Sequence, residues 1–376
     1  MLGLQPGEVL EGRYVLRDCI GEGGMGSVYL ASQPGLERPG LERPGLERLV
    51  AIKVLHRELA GEPVHIHRLR EEARLACRVR SAGCVGMIDC GELPDGTPYL
   101  VMEYVPGEAL GQAIAEQPFP LARAVEVMEQ ILRALGAVHA AGIVHGDIKS
   151  DNFLVETVAG RDRVTLIDFG LARLADAPHE LDVEEGEVMV SGTPEYMAPE
   201  IVGGAPPTRA SDLYAAGVIL YELLTGSTPF GGGTAVEIML RHAREAVIPP
   251  SLRSPERDLP PAVDRVVLRA LRKAPEARFA DAATFARELR AAAAAQRPPA
   301  ARPELHDHAA LPASPTASYG APLPRARWAR GSDCSTAVCE PRTGRSAPRA
   351  AASRRSSGRT PSSRSGGGGS RRYAAR

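Results

Sequence analysis

Between two β-like runs, the segment "IGEGGMGSVYLA" sets Gly21, Gly23 and Gly26 at Gly-x-Gly-x-x-Gly spacing, with Val28 following. Glycines so spaced let backbone amides come close to phosphate oxygens, because a Cβ would obstruct both the approach and the tight turn. A dinucleotide-binding unit uses the same spacing but opens a helix with it, whereas "SVYLAS" continues as a strand. Downstream, "VAIK" puts Lys53 on the next strand, where alternation sets Ala51 and Lys53 on one face and Val50, Ile52 and Val54 on the other. A lysine on a half-apolar strand needs an anionic partner. The helical stretch 65–80 offers Glu71 and Glu72. Glu72 shares a face with Leu69, Leu75, Ala76 and Val79, while Glu71 sits with His67, Arg68 and Arg74, so Glu72 is the inward one. The chemistry that the glycines suit is the close approach of backbone amides to phosphate oxygens.

Short β-like runs carry these residues: "RYVLRDCI", "SVYLA", "LVAIKVL", "VGMIDCGEL" and "TPYLVMEYV". Longer helical patterns follow from about residue 107, over 121–141, 211–225, 234–246, 261–272 and 281–295. A small, mainly β lobe therefore precedes a larger, mainly α one. In the loop 33–48 the pentad Pro-Gly-Leu-Glu-Arg occurs three times, from residues 34, 39 and 44. It is too short for a solenoid repeat and reads as serial turns in an exposed loop that tolerates duplication.

Three further segments complete an ordered set: "HGDIKSDN" at 145–152, "DFG" at 168–170 and "APE" at 198–200. With the glycine loop and "VAIK" they follow the signature order of protein kinases, and residues 14 to about 290 resemble that family. The resemblance implies an α+β fold, with an N-lobe over 14–103 and a C-lobe over 107–295, preceded by a lead at 1–13. It implies ATP and Mg²⁺ (or Mn²⁺) as cofactors, with Lys53 on the α- and β-phosphates and paired to Glu72. Asp147 would accept the proton of the substrate hydroxyl, Lys149 would neutralise the γ-phosphate, and Asn152 and Asp168 would hold the metal. ATP would lie against Ile20, Gly21, Glu22, Gly23, Gly24, Met25, Gly26, Ser27 and Val28. Val28, Ala51 and Leu154 would sandwich the adenine, whose edge would bond the backbone of Glu103 and Val105 beside a gatekeeper, Met102. By the same resemblance Asp212 would bond the catalytic-loop backbone, Gly217 would allow close helix packing, and Arg278 would pair with Glu200.

Lys149, two residues past Asp147, and Thr193 in "SGTPEYMAPE" resemble serine/threonine rather than tyrosine kinases. "IGEGGMGSVYLA" and "GTPEYMAPE" are most similar to bacterial eukaryotic-like (Hanks-type) enzymes. The implied function is transfer of the ATP γ-phosphate to Ser/Thr hydroxyls of protein substrates in intracellular signalling. One departure raises an alternative, a nucleotide-binding pseudokinase scaffold: the family's His-Arg-Asp stands here as His145-Gly146-Asp147. The arginine of that triplet meets an activation-loop phosphate, and between Phe169 and Val190 this chain has no Ser, Thr or Tyr but carries Asp176, Glu180, Asp182, Glu184, Glu185 and Glu187. Retention of Lys53, Glu72, Asp147, Asn152 and Asp168 favours a competent enzyme that does not depend on loop phosphorylation.

Composition bounds the rest. Residues 296–376 hold 15 Arg against 4 acidic residues, although the whole chain carries a net charge of −1, so an acidic body is joined to a basic tail. The tail's Pro, Ala, Ser, Gly and Arg bury too little apolar surface to offset chain entropy, and disorder is expected. With Tyr319, Trp328 and Tyr373 as its only aromatics, a solvated tail is favoured over one that binds nucleic acid. The six cysteines fit reduced thiols, and no apolar run reaches membrane-helix length, which points to the cytoplasm. Of 45 basic residues only Lys53, Lys149 and Lys273 are lysines, so lysine marks places where arginine would not serve.

Overall fold

The structure, a computed structural model, describes residues 4–34, 47–175, 183–184, 187–188 and 192–295. Most of the pentad repeat, nearly all of the acidic stretch before Val190 and the whole tail lie outside the described residues. Backbone contacts divide the chain into Met1–Leu305 and His306–Arg376, and every described residue belongs to the first unit.

Six strands form one antiparallel sheet: β1 (Val9–Leu10), β2 (Tyr14–Glu22), β3 (Gly26–Gln33), β4 (Arg48–Leu55), β5 (Met87–Glu92) and β6 (Pro98–Glu103). They lie in the order β1-β2-β3-β4-β6-β5. The alternation in β4 decides what the sheet presents. Val50, Ile52 and Val54 join Tyr14, Leu16, Ala31, Tyr99 and Val101 in an apolar cluster, while Ala51 packs on the opposite face with Val85 and Met102. After a single turn, α1 (Arg57–Ala60), comes α2 (Pro63–Ala76), with Pro63 in its first turn where the missing N–H is not needed. Leu69 of α2 packs with Leu55 of β4 and Leu100 of β6, which orients the helix so that Glu72 is buried and Glu71 is not.

The larger lobe begins with β7 (Glu108–Ala109), α3 (Leu110–Glu116) and α4 (Leu121–Ala140). Short strands β8 (Ile143–Val144), β9 (Phe153–Val158), β10 (Arg161–Leu166) and β11 (Arg173–Leu174) carry the loops between them, β9 pairing with both β7 and β10, and β8 with β11. A two-strand ribbon, β12 (Val183–Glu184) with β13 (Glu187–Val188), precedes α5 (Pro199–Val202). Then come α6 (Arg209–Thr225), α7 (Ala235–Arg244), α8 (Pro250–Arg253), α9 (Pro261–Ala270) and α10 (Ala282–Ala294).

Helix α6 is the axis of this lobe, because it is apolar all round and only an interior position covers such a helix. A capping box of Thr208 and Ser211 starts it, and Gly226 ends it in the left-handed region (φ 80°). Residues 211–221 are all buried, Asp212 among them. Gly217 faces α9 so closely that a Cβ there would stand 2.7 Å from the Ala270 Cβ. Among the described residues no helix is long and apolar enough to cross a membrane. Gly217→Ala is therefore expected to destabilise the fold by about 1–3 kcal/mol through overpacking. Urea denaturation checks this, and an unchanged midpoint would show that α6 and α9 can move apart freely.

Candidate active site

Lys53 Nζ lies 2.9 Å from both carboxylate oxygens of Glu72 and 3.0 Å from Asp168 Oδ1. Strand β4, helix α2 and the loop after β10 each supply one of the three groups. Burial opposes charge on Lys53, yet the two carboxylates outweigh it and hold the amine above the usual lysine range. Burial likewise works against Asp168, but the Lys53 charge keeps its carboxyl well below the usual range. Glu72 is the member that burial pushes up, to about 7, against the Lys53 charge and with help from Asp168, because two carboxylates share one cation. Phe169, next in sequence, is buried in the same core cluster as Leu75 of α2.

The loop 145–152 is held from beneath by Asp212. The His145 and Gly146 N–H groups donate to its two carboxylate oxygens at 2.9 Å each, and the His139 ring lies 2.8 Å from Oδ2. His145 Nε2 donates to the Asp168 carbonyl (2.6 Å) while its Nδ1 accepts from the Asp147 N–H (3.3 Å), which ties this loop to the Asp168 loop. Lys149 Nζ pairs with Asp147 Oδ2 (2.7 Å) and donates to Thr193 Oγ1 (2.9 Å). Thr193 in turn donates its hydroxyl (3.1 Å) and N–H (3.3 Å) to Asp147 Oδ1. Asn152 donates its amide to the Asp147 carbonyl at 2.8 Å. Asp147 is thus fixed in orientation from three sides. Beside it lies a cavity of about 20 Å³, room for a water-sized group, lined in part by Gly192, Thr193, Tyr196 and Met197.

A second cavity, of about 170 Å³, opens between the lobes. Ile20, Val28, Ala51, Lys53, Met102, Glu103, Val105, Asn152, Leu154 and Asp168, all flagged from the sequence, line it. Val85, Tyr104 and Ile167 line it too and were not flagged. Ile167 directly follows β10 and precedes Asp168, and the unbroken buried run Val164-Thr165-Leu166 before it offers no alternation from which its face could be read. Gly21, Glu22, Gly23, Gly24, Met25, Gly26 and Ser27 form the β2–β3 hairpin rather than the cavity wall, with Gly21 opposite Val28 and Glu22 opposite Ser27. Gly24 faces open space, whereas a Cβ on Gly26 would overlap the Val54 carbonyl of β4. Gly26 therefore serves the sheet, where two backbones must come together, as well as the loop.

Asp168, its side chain 38% exposed, and Asn152, the pair expected to hold a metal, both line this cavity. Among the described residues no group of three or more His, Cys, Asp or Glu could form an all-protein cage. A pair of oxygen donors suits magnesium, which keeps waters and takes phosphate oxygens for the rest of its shell.

The profile of the family described as "Protein kinase domain" matches residues 14–291. The chain belongs to the protein kinase family. Over 287 residues the chain is 37% identical to serine/threonine-protein kinase pkn3 of Myxococcus xanthus, a match covering 76% of this chain and 51% of that one. Over 297 residues it is 38% identical to serine/threonine-protein kinase PksC of Streptomyces coelicolor, covering 77% and 50%. It thus spans about half the length of these relatives. The solved kinase domain of Mycobacterium tuberculosis PknI, in a singly substituted form, superposes with a TM-score of 0.57 at 25% identity, covering 78% of this chain and all of that one.

Elsewhere in the kinase domain, Arg278 is buried and makes a two-pronged pair with Glu200 at 2.7 and 2.6 Å. Gly146 adopts φ +81°, and a Cβ there would stand 3.0 Å from the Leu171 carbonyl oxygen. Arg173 reaches the same neighbourhood, donating to the Pro207 carbonyl within the field of Asp212. Lys53→Met removes the cation between Glu72 and Asp168. Hydrogen bonds to charged groups contribute about 1.5–3 kcal/mol, so affinity for Mg-ADP is expected to fall about 10- to 100-fold. Calorimetric titration measures it, and unchanged affinity would remove Lys53 from the phosphate site.

Proposed function

We propose that this chain is an ATP-dependent serine/threonine protein kinase acting on protein substrates in the cytoplasm, its catalytic domain spanning residues 14–295. The observation that carries the reading is the Asp147 carboxylate, bonded by Lys149 and Thr193 at the edge of a water-sized cavity. A Ser or Thr hydroxyl presented there meets a carboxylate already oriented to accept its proton. The hydroxyl oxygen forms a bond to the γ-phosphorus as the bond to the β-γ bridging oxygen breaks, ADP leaves, and the proton passes to Asp147. Lys53 holds the α- and β-phosphates and is itself held by Glu72; Lys149 offsets charge on the transferred group. Adenine would lie between Val28, Ala51 and Leu154, its edge on the backbone of Glu103 and Val105, and it is the lining of the inter-lobe cavity by all five that supports this. A divalent cation, Mg²⁺ or Mn²⁺, bound at Asn152 and Asp168 would supply neutralisation of the phosphate charge. The names of the relatives, all serine/threonine-protein kinases, support the acceptor class.

Asp147→Asn is expected to lower transfer from labelled ATP to a generic basic protein by about 10²- to 10⁴-fold while nucleotide binding persists. Equal labelling by wild type and variant would sink the enzyme reading and leave a nucleotide-binding scaffold.

Activity is also inferred to be independent of loop phosphorylation. Gly146 offers no guanidinium to a phosphate, and its backbone geometry disfavours any side chain. Transfer is expected to survive exhaustive phosphatase treatment. Loss of activity that returns only when an upstream kinase modifies Ser191 or Thr193 would contradict this.

A further inference from the structure

Ser150 is buried to 1% exposure and lies between Lys149 and Asn152, in the short turn Ser150–Asn152 of the catalytic loop. No role in phosphoryl transfer falls to it. Its Oγ stands 2.8 Å from the Tyr196 hydroxyl, and that hydroxyl donates to Glu222 Oε2 at 2.8 Å. The order of donors follows. Burial and the nearby Glu222 carboxylate hold the Tyr196 phenol far above its ordinary range, so it keeps its proton and gives it to Glu222. Its oxygen is then the acceptor and the Ser150 hydroxyl the donor. The chain Ser150 to Tyr196 to Glu222 joins three parts of the fold: the loop that carries Asp147, the segment 192–197 that walls the cavity beside Asp147, and the buried axis α6.

Two more observations set the tolerance of this link. Gly111, near the start of α3, approaches so closely that a Cβ would stand 2.8 Å from Ser150 Oγ and 2.8 Å from Asp151 Oδ1. The serine hydroxyl is therefore confined on one side by a backbone and aimed on the other at Tyr196. Tyr196 is 8% exposed and is bonded within its own turn, its N–H donating to the Thr193 carbonyl at 3.0 Å. Thr193 is the residue that bonds Asp147. A shift of Tyr196 thus moves Thr193, and with it the wall against which an acceptor hydroxyl is presented.

We propose that Ser150 is a positioning residue for the protein acceptor, acting through Tyr196 and Glu222 to hold segment 192–197 in register with Asp147. The proposal rests on the kinase reading above. Its action is on the acceptor side of the site: Ser150 is not among the residues lining the nucleotide cavity.

The test is steady-state kinetics of the full chain with a peptide acceptor, varying ATP and peptide separately, for wild type, Ser150→Ala, Tyr196→Phe, the double variant and Gly111→Ala. Ser150→Ala is expected to lower kcat/KM for the peptide about 10-fold with KM for ATP unchanged, as for loss of one buried hydrogen bond at a positioned site. Tyr196→Phe should do the same, and the double variant should be no worse than either single one, since the two hydroxyls act in one chain. Gly111→Ala, which presses a methyl group against the Ser150 hydroxyl without removing it, should reproduce the loss. Absence of transfer by wild type sinks the kinase reading itself. Transfer by wild type with an unaltered peptide kcat/KM in Ser150→Ala sinks the positioning role alone, as do losses that multiply in the double variant. A parallel rise in KM for ATP and for peptide would also overturn it, because that is the signature of general loosening.

Discussion

Everything in the cleft depends on one buried cation shared by two carboxylates. Lys53, Glu72 and Asp168 come from β4, α2 and the loop after β10, and none is near another in sequence. Their energetic bond is mutual: a buried charge stripped of its partner is destabilising by several kcal/mol, so each group obliges the other two elements to stay. The apolar frame makes this convergence the default. Leu69 is packed against Leu55 and Leu100, and Phe169 shares a core with Leu75, so hydrophobic burial holds α2 in place while the ion pairs specify its rotation.

The larger lobe is organised around a charge of the opposite sign. Asp212 enters the interior on α6 and collects two backbone N–H groups and a histidine ring. Because α6 is apolar all round and packs through Gly217 against α9, the carboxylate is fixed in space, and the loop bearing Asp147 is fixed with it. Gly146 sits directly on this clamp with positive φ. Glycine occupies that geometry without strain, so the departure that raises the pseudokinase alternative is compatible with a well-held loop.

The candidate site is legible in the sequence wherever chemistry dictates residue type at short spacing. Lys53 on an alternating strand, Glu72 on the inward face of a helix, and Asp147, Asn152 and Asp168 in ordered motifs could all be read before any fold was known. The scarcity of lysine helped, and the third, Lys273, also has a defined place, its Nζ donating to the His242 carbonyl at 2.7 Å over the Phe230 ring. What escaped was set by tertiary proximity. Val85 and Tyr104 carry no signature of a cleft wall, and Gly26 reads as a phosphate-loop glycine although its tightest neighbour is the Val54 carbonyl. Ser150 and Tyr196 are 46 residues apart, and no local pattern announces their bond.

The hairpin that carries the pentads is closed by its own ladder. β3 and β4 stay in register to the last pair, Gln33 opposite Arg48, which brings both ends of the intervening segment together at the rim of the sheet. Each doubling of a flexible loop's length adds only about 0.6 kcal/mol of closure entropy. To an engineer this rim is a docking port for cargo. A second folded module whose own termini lie side by side could be spliced there, giving a kinase domain that wears a fluorophore or a drug-responsive switch on its smaller lobe.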